Sequence, residues 1–281
     1  MQSITHPFRS VLYIPASNAR ALTKAQTLAT DAIIFDLEDA VAVSEKNNAR
    51  DLLISALAEN YGERYKIVRI NGLDTQWGKD DIAATKAADA VLLPKVNSAA
   101  DIDQLALLIA DTPIWAMMET PLGILNAAQI AGHPQLAGMV MGTNDLAKDL
   151  NCRFRADRMP LQSSLQMCLL AAKAHGVVAI DGVYNAFKDS EGLAIECNQG
   201  RDLGFDGKTL IHPAQLSQAN AAFSPTQDEI ELAQRQIAAF DEAQLNGQAV
   251  AVIDGKIVEN LHIVTAKQTL SNAAMIAKMG H

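Results

Sequence analysis

The sequence predicts a closed parallel α/β barrel of eight strands, a (β/α)8 TIM barrel, with a C-terminal extension. Short apolar runs alternate with helix-length stretches eight times along the chain, and this repetition favours a barrel. Polar residues follow nearly every run, whereas the GxGxxG that an open nucleotide-binding sheet carries after its first strand is missing. The length of 281 residues suits one barrel of about 250 residues plus a tail.

The predicted strands are short, mostly apolar and bounded by polar or turn residues, as expected of strands that are buried on both faces. In chain order they are Ser10–Ile14, Ala32–Phe35, Lys66–Ile70, Ala90–Leu93, Ile114–Met118, Gly138–Met141, Val177–Ile180 and Gly207–Ile211. The helix-length stretches between them include Asn18–Ala29, Glu45–Glu59, Ser98–Ala110 and Leu161–Ala174.

A barrel domain is predicted at residues 1–222, and a lid and oligomerisation segment at residues 223–281. This tail is amphipathic and has no evident place on its own barrel, so we expect a homo-oligomer in which it covers a barrel mouth. Its predicted elements are a helix at Thr226–Leu245, a β-like piece at Ala249–Ile253, a turn at Asp254–Gly255, a second β-like piece at Ile257–Val258 and a last helix at Val264–Lys278.

The composition limits the class of partner. Hydrophobic residues make up 49% and charged residues 20% of the chain, which permits a large core. A net charge of −9 argues against nucleic acid, because a phosphate backbone needs a basic surface. No apolar run approaches the length of a membrane span and no signal pattern opens the chain, so we expect a soluble, cytoplasmic protein. Three widely spaced cysteines fit reduced thiols.

Candidate functional residues follow the predicted strands, where the active sites of parallel barrels lie. Several carboxylates that meet at one mouth would repel each other without a cation. Oxygen ligands favour Mg²⁺ or Mn²⁺, and the lack of a His or Cys cluster argues against zinc. The residues are Asp36, Glu38 and Asp39 after the second strand, Arg69 and Asn71 after the third, Lys95 after the fourth, Glu119 after the fifth, Asn144 and Asp145 after the sixth, Asp181 after the seventh, and Lys208 and His212 at the eighth.

Simpler roles remain open for these residues. Any one of the carboxylates can be a helix N-cap, and Arg69 can be a structural ion-pair partner of Glu38 or Asp39. Lys95 can be structural or, as in a Schiff-base aldolase, catalytic. His212, which precedes a proline, can simply shape its loop.

The chain resembles the citrate lyase β-subunit-like family of the HpcH/HpaI aldolase superfamily. These are metal-dependent barrel lyases that act on acyl-CoA esters such as malyl-CoA, citramalyl-CoA and citryl-CoA. The matching stretches run in the family's order along the whole barrel: RSVLYIPA (Arg9–Ala16), DLEDAV (Asp36–Val41), EKNNAR (Glu45–Arg50), RIN (Arg69–Asn71), LLPKV (Leu92–Val96), ETPLGILNA (Glu119–Ala127), GTNDLAKDL (Gly142–Leu150), AIDGVYNAFKDSEGL (Ala179–Leu193) and GKTLIHPAQ (Gly207–Gln215).

The resemblance implies roles for these residues. Glu119 and Asp145 would ligate Mg²⁺, and Arg69 would hold the carboxylate and carbonyl of a 2-oxoacid such as glyoxylate, pyruvate or oxaloacetate. The acidic cluster of Asp36, Glu38 and Asp39 would order metal-bound waters, with Asp39 as an alternative proton donor. Coenzyme A, as part of the substrate, carries several phosphate charges. Its candidate partners, by their position and charge, are Arg9, Arg20 and Lys24, at or just after the first strand, with Lys95 and His212; solvation at the surface stays open as the role of at least one of the first three.

Two departures from the family pattern concern proton transfer. Asn144 stands where many relatives have Glu, and the lid carries Glu259 where relatives carry Asp. Glu259 is therefore the expected group for proton transfer at the acetyl-CoA methyl carbon. The resulting prediction is a Mg²⁺-dependent carbon–carbon lyase that yields acetyl-CoA and a 2-oxoacid, assembled as a homotrimer or a multiple of it. The alternatives are a metal-dependent aldolase that acts on free 4-hydroxy-2-oxoacids and a non-catalytic acyl-CoA-binding subunit.

Overall fold

A computed structural model describes residues 6–280 and contains the predicted barrel. Eight parallel strands close in sequence order, β1 pairing with both β2 and β8. The strand positions differ from the prediction by at most two residues at either end. The strands are β1 Ser10–Pro15, β2 Ala32–Asp36, β3 Tyr65–Arg69, β4 Ala90–Leu93, β5 Ile114–Met118, β6 Leu136–Met141, β7 Val178–Asp181 and β8 Gly207–Leu210.

The helices that surround the barrel follow the strands in turn. Between β5 and β6, two short helices take the place of one long helix. The helices are α1 Ala19–Ala25, α2 Lys46–Leu57, α3 Gly78–Asp81, α4 Ala99–Ile109, α5 Pro121–Leu125, α6 Ala127–Ala131, α7 Thr143–Asp149, α8 Gln162–His175, α9 Ser190–Leu203 and α10 Leu216–Phe223. None of the helices within residues 6–280 is long and apolar enough to cross a membrane.

Alternate residues of each strand build two separate cores. Ile34, Ile67 and Trp115 belong to a cluster of strand side chains that fills the barrel, together with Phe8 below them. The intervening residues, such as Phe35, pack with the surrounding helices in a larger cluster. This alternation leaves the polar residues at the carboxyl ends of the strands as the lining of the mouth.

The chain divides into two compact units. The first spans Phe8–Phe223 and the second Ser224 onward, together with His6 and Pro7. The second unit contains a helix α11, Gln227–Leu245, an antiparallel hairpin of β9, Ala251–Ile253, and β10, Lys256–Val258, and a helix α12, Asn260–Met279. Phe240, Ala243 and Ile263 are in its own small core.

The last helix begins four residues earlier than the apolar pattern predicts. Glu259 is its N-cap residue, and the Glu259 backbone N–H donates to Nδ1 of His262 at 3.0 Å. This capping interaction satisfies a donor that the helix itself leaves without a partner. The helix can therefore start at Asn260.

Candidate active site

Arg69 and Asp36 form a buried ion pair at the barrel mouth, where they end neighbouring strands in register. The guanidinium donates from Nε to Asp36 Oδ1 at 2.7 Å and from Nη2 to Oδ2 at 2.6 Å, and it lies over the ring of Tyr13 at 5.1 Å. Asp36 also accepts the backbone N–H groups of Glu38 and Ala40. Because both oxygens are occupied, the prediction that Asp36 orders metal-bound water is corrected: this carboxylate anchors Arg69.

Glu38 connects Arg69 to Lys95. Its Oε2 lies 2.8 Å from Arg69 Nη1, and its Oε1 lies 3.1 Å from Lys95 Nζ. Burial raises the pKa of Glu38, although the two cations oppose that rise. Asp39 is exposed, with Oδ2 3.7 Å from Arg69 Nη1. Arg69 thus forms ion pairs with Asp36, Glu38 and Asp39, and its Nη1 is the nitrogen that contacts Glu38 and Asp39.

Glu119 follows β5 and is a deeply buried carboxylate, 3% exposed. Burial raises its pKa from 4.5 to about 7, while a hydrogen bond from the Lys95 backbone N–H to Oε1, 2.8 Å long, lowers it. Gly142 makes room for this side chain, because a Cβ at position 142 would lie 2.5 Å from Glu119 Oε2. A buried carboxylate whose charged form is this poorly solvated favours a bound cation.

Lys95 joins the two predicted metal ligands. Its backbone N–H contacts Glu119, and its Nζ lies 3.5 Å from Asp145 Oδ2. The residue has a positive φ of 50°, which is uncommon for a residue other than glycine and is often found at functional sites. Glu119 and Asp145 are therefore both in contact with Lys95.

Asn144 and Asp145 follow β6, as predicted, and lie in the first turn of α7. The start of a helix favours a negative charge, so Asp145 gains stabilisation there. The Asn144 side chain forms two hydrogen bonds with Asn185 from the loop after β7, at 3.2 and 2.7 Å. This amide pair ties the loop to the helix that carries Asp145.

A cavity of about 280 Å³ adjoins the acidic cluster on the β2 and β3 side. Trp77 and Val43 supply apolar walls, and Asp39 lines its entrance side. At its base, buried Lys46 donates to the carbonyl oxygens of Leu37 and Glu38 and to Asn71 Oδ1, which fixes the two loops that frame the cavity.

The predicted CoA-binding residues do not share one location. Arg9 precedes β1, at the barrel end opposite the mouth, and its side chain donates to both oxygens of Asp31 at 2.8–2.9 Å. The prediction that Arg9 binds CoA is therefore wrong, because it is a buried ion-pair partner at the wrong end of the barrel. Arg20 and Lys24 are exposed on α1, after β1.

His212 lies in the loop after β8 and is exposed. It shapes that loop by accepting the Ala214 backbone N–H at Nδ1, and its ring stacks on Phe187 at 4.7 Å. Phe187 comes from the loop after β7, and its side chain is half exposed. The exposed aromatic pair thus borders the mouth.

Glu259 belongs to the second unit, where it caps α12. Its predicted role in proton transfer stays a prediction.

Sequence reasoning missed several residues that shape the site. Lys46, Tyr13, Gly142 and Phe187 all lie inside or beside the motifs that carry the resemblance, but nothing in the chain order shows what they touch. Asp181, at the end of β7, and Lys208, the second residue of β8, form instead a buried ion pair at 3.1 Å. Arg158 is a second cation that pairs with Asp181.

The donor set fits a hard divalent cation. Glu119 and Asp145 offer oxygen atoms only, as Mg²⁺ prefers. Within residues 6–280, no three His, Cys, Asp or Glu side chains converge closely enough to hold a metal by themselves. Water and substrate oxygens would have to complete the coordination, which is usual for Mg²⁺.

The (β/α)8 barrel and the charged residues at its mouth agree with what the comparisons with known proteins show. The HpcH/HpaI aldolase/citrate lyase family model matches residues 9–213, and the chain belongs to this family. It is 67% identical over 278 residues, 98% of each chain, to the (3S)-malyl-CoA thioesterase of Cereibacter sphaeroides. It is 36% identical over 280 residues to the citrate lyase subunit beta of Leuconostoc mesenteroides, covering 94% of this chain and 93% of the relative.

A solved structure agrees over nearly the whole chain. CitE from Mycobacterium tuberculosis, in complex with magnesium, acetoacetate and coenzyme A, matches with a TM-score of 0.80 and 30% identity, covering 96% of this chain and 99% of that one. The predicted family and barrel are thereby confirmed. The predicted carbon–carbon lyase class is not, because the relative at 67% identity carries the name of a thioesterase.

Proposed function

We propose that this protein is a Mg²⁺-dependent enzyme that hydrolyses the thioester of a short 3-hydroxy dicarboxylic acyl-CoA such as malyl-CoA. The observation that carries the proposal is the meeting of Glu119, Asp145 and Arg69 around Glu38 and Lys95 at one barrel mouth. This arrangement offers two oxygen ligands for a cation beside a fixed guanidinium, which suits a substrate with a carboxylate next to a hydroxyl group. The name and the near full-length similarity of the Cereibacter sphaeroides relative support the choice of substrate.

When bound, Mg²⁺ would act as a Lewis acid on the carboxylate and hydroxyl oxygens of the acyl group. Glu119 and Asp145 would hold the ion. Arg69, kept rigid by Asp36 and Tyr13, would direct Nη1 at the substrate carboxylate. Because Glu38 Oε2 already forms an ion pair with this Nη1, the substrate would have to displace or share that contact.

In the hydrolysis, water adds to the thioester carbon, the carbon–sulfur bond breaks, and malate and the CoA thiol leave. The exposed carboxylate of Asp39, 3.7 Å from Arg69 Nη1, would take a proton from the attacking water. The Lys95 ammonium, which is about half exposed, would add a second positive charge for the substrate carboxylate beside Arg69. The apolar side chains that line the cavity beside Asp39 would contact the pantetheine arm.

Carbon–carbon cleavage to acetyl-CoA and glyoxylate is the second candidate. The family match and the citrate lyase relative favour it. Cleavage needs a proton donor for the acetyl-CoA enolate, whereas thioester hydrolysis needs none at that carbon. Glu259 would have to be that donor, so a Glu259→Ala variant that keeps its turnover of malyl-CoA would favour hydrolysis. A free-acid aldolase and a non-catalytic subunit stay as alternatives.

The products separate these reactions. The protein, with Mg²⁺, is incubated with malyl-CoA, and free thiol, malate, acetyl-CoA and glyoxylate are measured in parallel. Hydrolysis yields equal amounts of thiol and malate, and water labelled with ¹⁸O places one label in the malate carboxylate. Acetyl-CoA and glyoxylate without malate would support cleavage instead, and the absence of turnover on malyl-CoA would refute both.

Variants at the mouth test the site. Glu119→Gln and Asp145→Asn should lose nearly all activity, since each removes an anionic ligand. The control is Asp149→Asn, which removes an exposed carboxylate from the same helix as Asp145. Equal activity in Asp145→Asn and Asp149→Asn would show that the metal site has been misplaced.

A further inference from the structure

Lys95 places a positive charge beside the same carboxylates that are proposed to bind a divalent cation. Its Nζ lies 3.1 Å from Glu38 Oε1 and 3.5 Å from Asp145 Oδ2. Its backbone N–H donates to Oε1 of Glu119. Lys95 thus contacts both proposed metal ligands. Its neutral backbone N–H donates to Glu119, and its charged ammonium lies near Asp145.

The backbone of Lys95 fixes where the side chain starts but leaves its ammonium free to move. With φ at 50°, residue 95 has a conformation that costs energy for any side chain with a Cβ. In this conformation the backbone N–H donates to Glu119. Because the side chain is about half exposed, the ammonium can also turn away from Asp145 towards an anion in the mouth.

We propose that Lys95 is a counter-cation of the metal site, which weakens Mg²⁺ binding to the free protein and makes it depend on an anionic substrate. The inference rests on the proposed function for the position of the metal. Like charges repel at short range, so an ammonium at Asp145 opposes a dication bound to the same carboxylate. A substrate carboxylate attracts both cations, and it can draw Lys95 away from Asp145 while it supplies oxygen ligands to the metal.

This arrangement has a functional consequence. Mg²⁺ and the acyl-CoA each bind better when the other is present, and such coupling is reciprocal. The free protein then holds little metal, and the Lewis acid is loaded together with a substrate that has a carboxylate in the right place. An acyl-CoA without that carboxylate would neither displace Lys95 nor recruit the metal, so the lysine contributes to substrate selection.

The test is metal binding by the full chain without substrate, measured by calorimetry with Mg²⁺ and by electron paramagnetic resonance with Mn²⁺. Lys95→Met keeps the length of the side chain and the backbone N–H to Glu119 but removes the charge. We expect it to bind either metal about tenfold more tightly than the natural protein, because a repulsive charge is removed. Lys95→Arg, which keeps the charge, should bind about as the natural protein does.

Lys148→Met is the matched control, because Lys148 is exposed on the same helix as Asp145. It should change metal affinity little. A purely structural lysine would give the opposite sign, since its loss would disorder the carboxylates and weaken binding. Unchanged or weaker metal binding in Lys95→Met would therefore overturn the proposal.

A second measurement repeats the titration with malate present. Malate should tighten Mg²⁺ binding severalfold in the natural protein and much less in Lys95→Met. Equal tightening in both would refute the coupling. If the natural protein and Asp145→Asn bind metal equally, the proposed metal site itself fails. If instead Asp145→Asn weakens metal binding and Lys95→Met leaves it unchanged, the metal site stands. Only the proposed role of Lys95 is then refuted.

Discussion

At the scale of single residues, the mouth combines carboxylates in different environments. Asp36 is neutralised by Arg69 and two backbone donors, whereas Glu119 is buried with one backbone hydrogen bond and a pKa raised to about 7. The environment, rather than the residue type, therefore separates an anchoring carboxylate from a proposed metal ligand. Two carboxylates that look equivalent in the sequence have different chemistry.

Glu119 should make the stability of the metal-free protein depend on pH. Its pKa is raised in the folded state, so the folded protein holds the proton more tightly than the unfolded chain does. The resulting contribution to the free energy of unfolding is complete below about pH 4.5 and is lost as the pH rises through about 7. A rise of this size corresponds to about 3 kcal/mol. In EDTA, the free energy of unfolding of the natural protein, relative to that of Glu119→Gln, should fall by roughly 2–3 kcal/mol over this range.

Denaturant unfolding at several pH values measures this difference. Asp149→Asn, which changes an exposed carboxylate, should follow the natural protein at every pH. A difference between the natural protein and Glu119→Gln that does not vary with pH would contradict a raised pKa.

At the scale of elements, the turn from β6 into α7 gives the buried glutamate its space. Gly142 is the N-cap residue of α7, and a side chain there would collide with Glu119. Gly142→Ala should leave the barrel folded, with a loss of metal affinity and activity of at least about tenfold, because small displacements of catalytic groups are costly.

Circular dichroism and metal titration of the purified variant check this expectation. Gly132→Ala is a suitable comparison, since Gly132 ends α6 and an added Cβ there meets its nearest neighbour, His175 Cε1, at 3.3 Å. Normal metal binding in Gly142→Ala would show that Glu119 can move without loss.

The opposite ends of β1 and β2 carry a different ion pair. Arg9 and Asp31 are both buried and are joined by side-chain and backbone hydrogen bonds. Arg9→Met would leave a buried carboxylate without its cation, so we expect a loss of about 3–5 kcal/mol in unfolding free energy. The KM for malyl-CoA should not change.

Arg20→Met should show the reverse pattern, because Arg20 is exposed on α1 beyond the mouth end of β1. Its stability should be nearly natural, and its KM for the CoA ester should rise. Steady-state kinetics and urea unfolding of both variants distinguish the two arginines. If Arg9→Met instead had a raised KM and the stability of the natural protein, Arg9 would bind CoA after all.

At the scale of the whole molecule, the second unit exposes a number of large apolar side chains. Leu245 is 89% exposed, and Val252, Ile257, Leu261 and Val264 are each exposed by at least 60%. Such surfaces often mark protein contacts. We predict a homotrimer, the assembly that the family resemblance implies, with these side chains in subunit contacts.

Size-exclusion chromatography with light scattering at micromolar concentration measures the mass. The variant Val252→Lys/Ile257→Lys, on the hairpin of the second unit, should shift the protein towards monomers. Lys256→Glu changes charge on the same hairpin without touching an apolar position and serves as the control. A natural protein that is monomeric and fully active would contradict the prediction.

The sequence by itself determined the barrel, its strand order and the list of residues at the mouth. Strand periodicity and the polar residues after each run depend on local chain properties, and the closure of parallel strands puts their carboxyl ends together whatever the details. This is why Arg69, Glu119 and Lys95 could be placed at one mouth from chain order. Boundaries set by apolar pattern alone were less certain, as the capped start of α12 shows.

Only the tertiary structure decided what each side chain touches. Arg9 and Arg20 flank the same strand in the sequence, yet the direction of β1 puts them at opposite ends of the barrel. Asp36 and Glu119 differ because burial, hydrogen bonding and neighbouring charge arise from segments far apart in the chain. The contact of Lys95 with Glu38 and Asp145 likewise depends on three separate strand ends and a left-handed backbone residue, none of which a pattern in the sequence encodes.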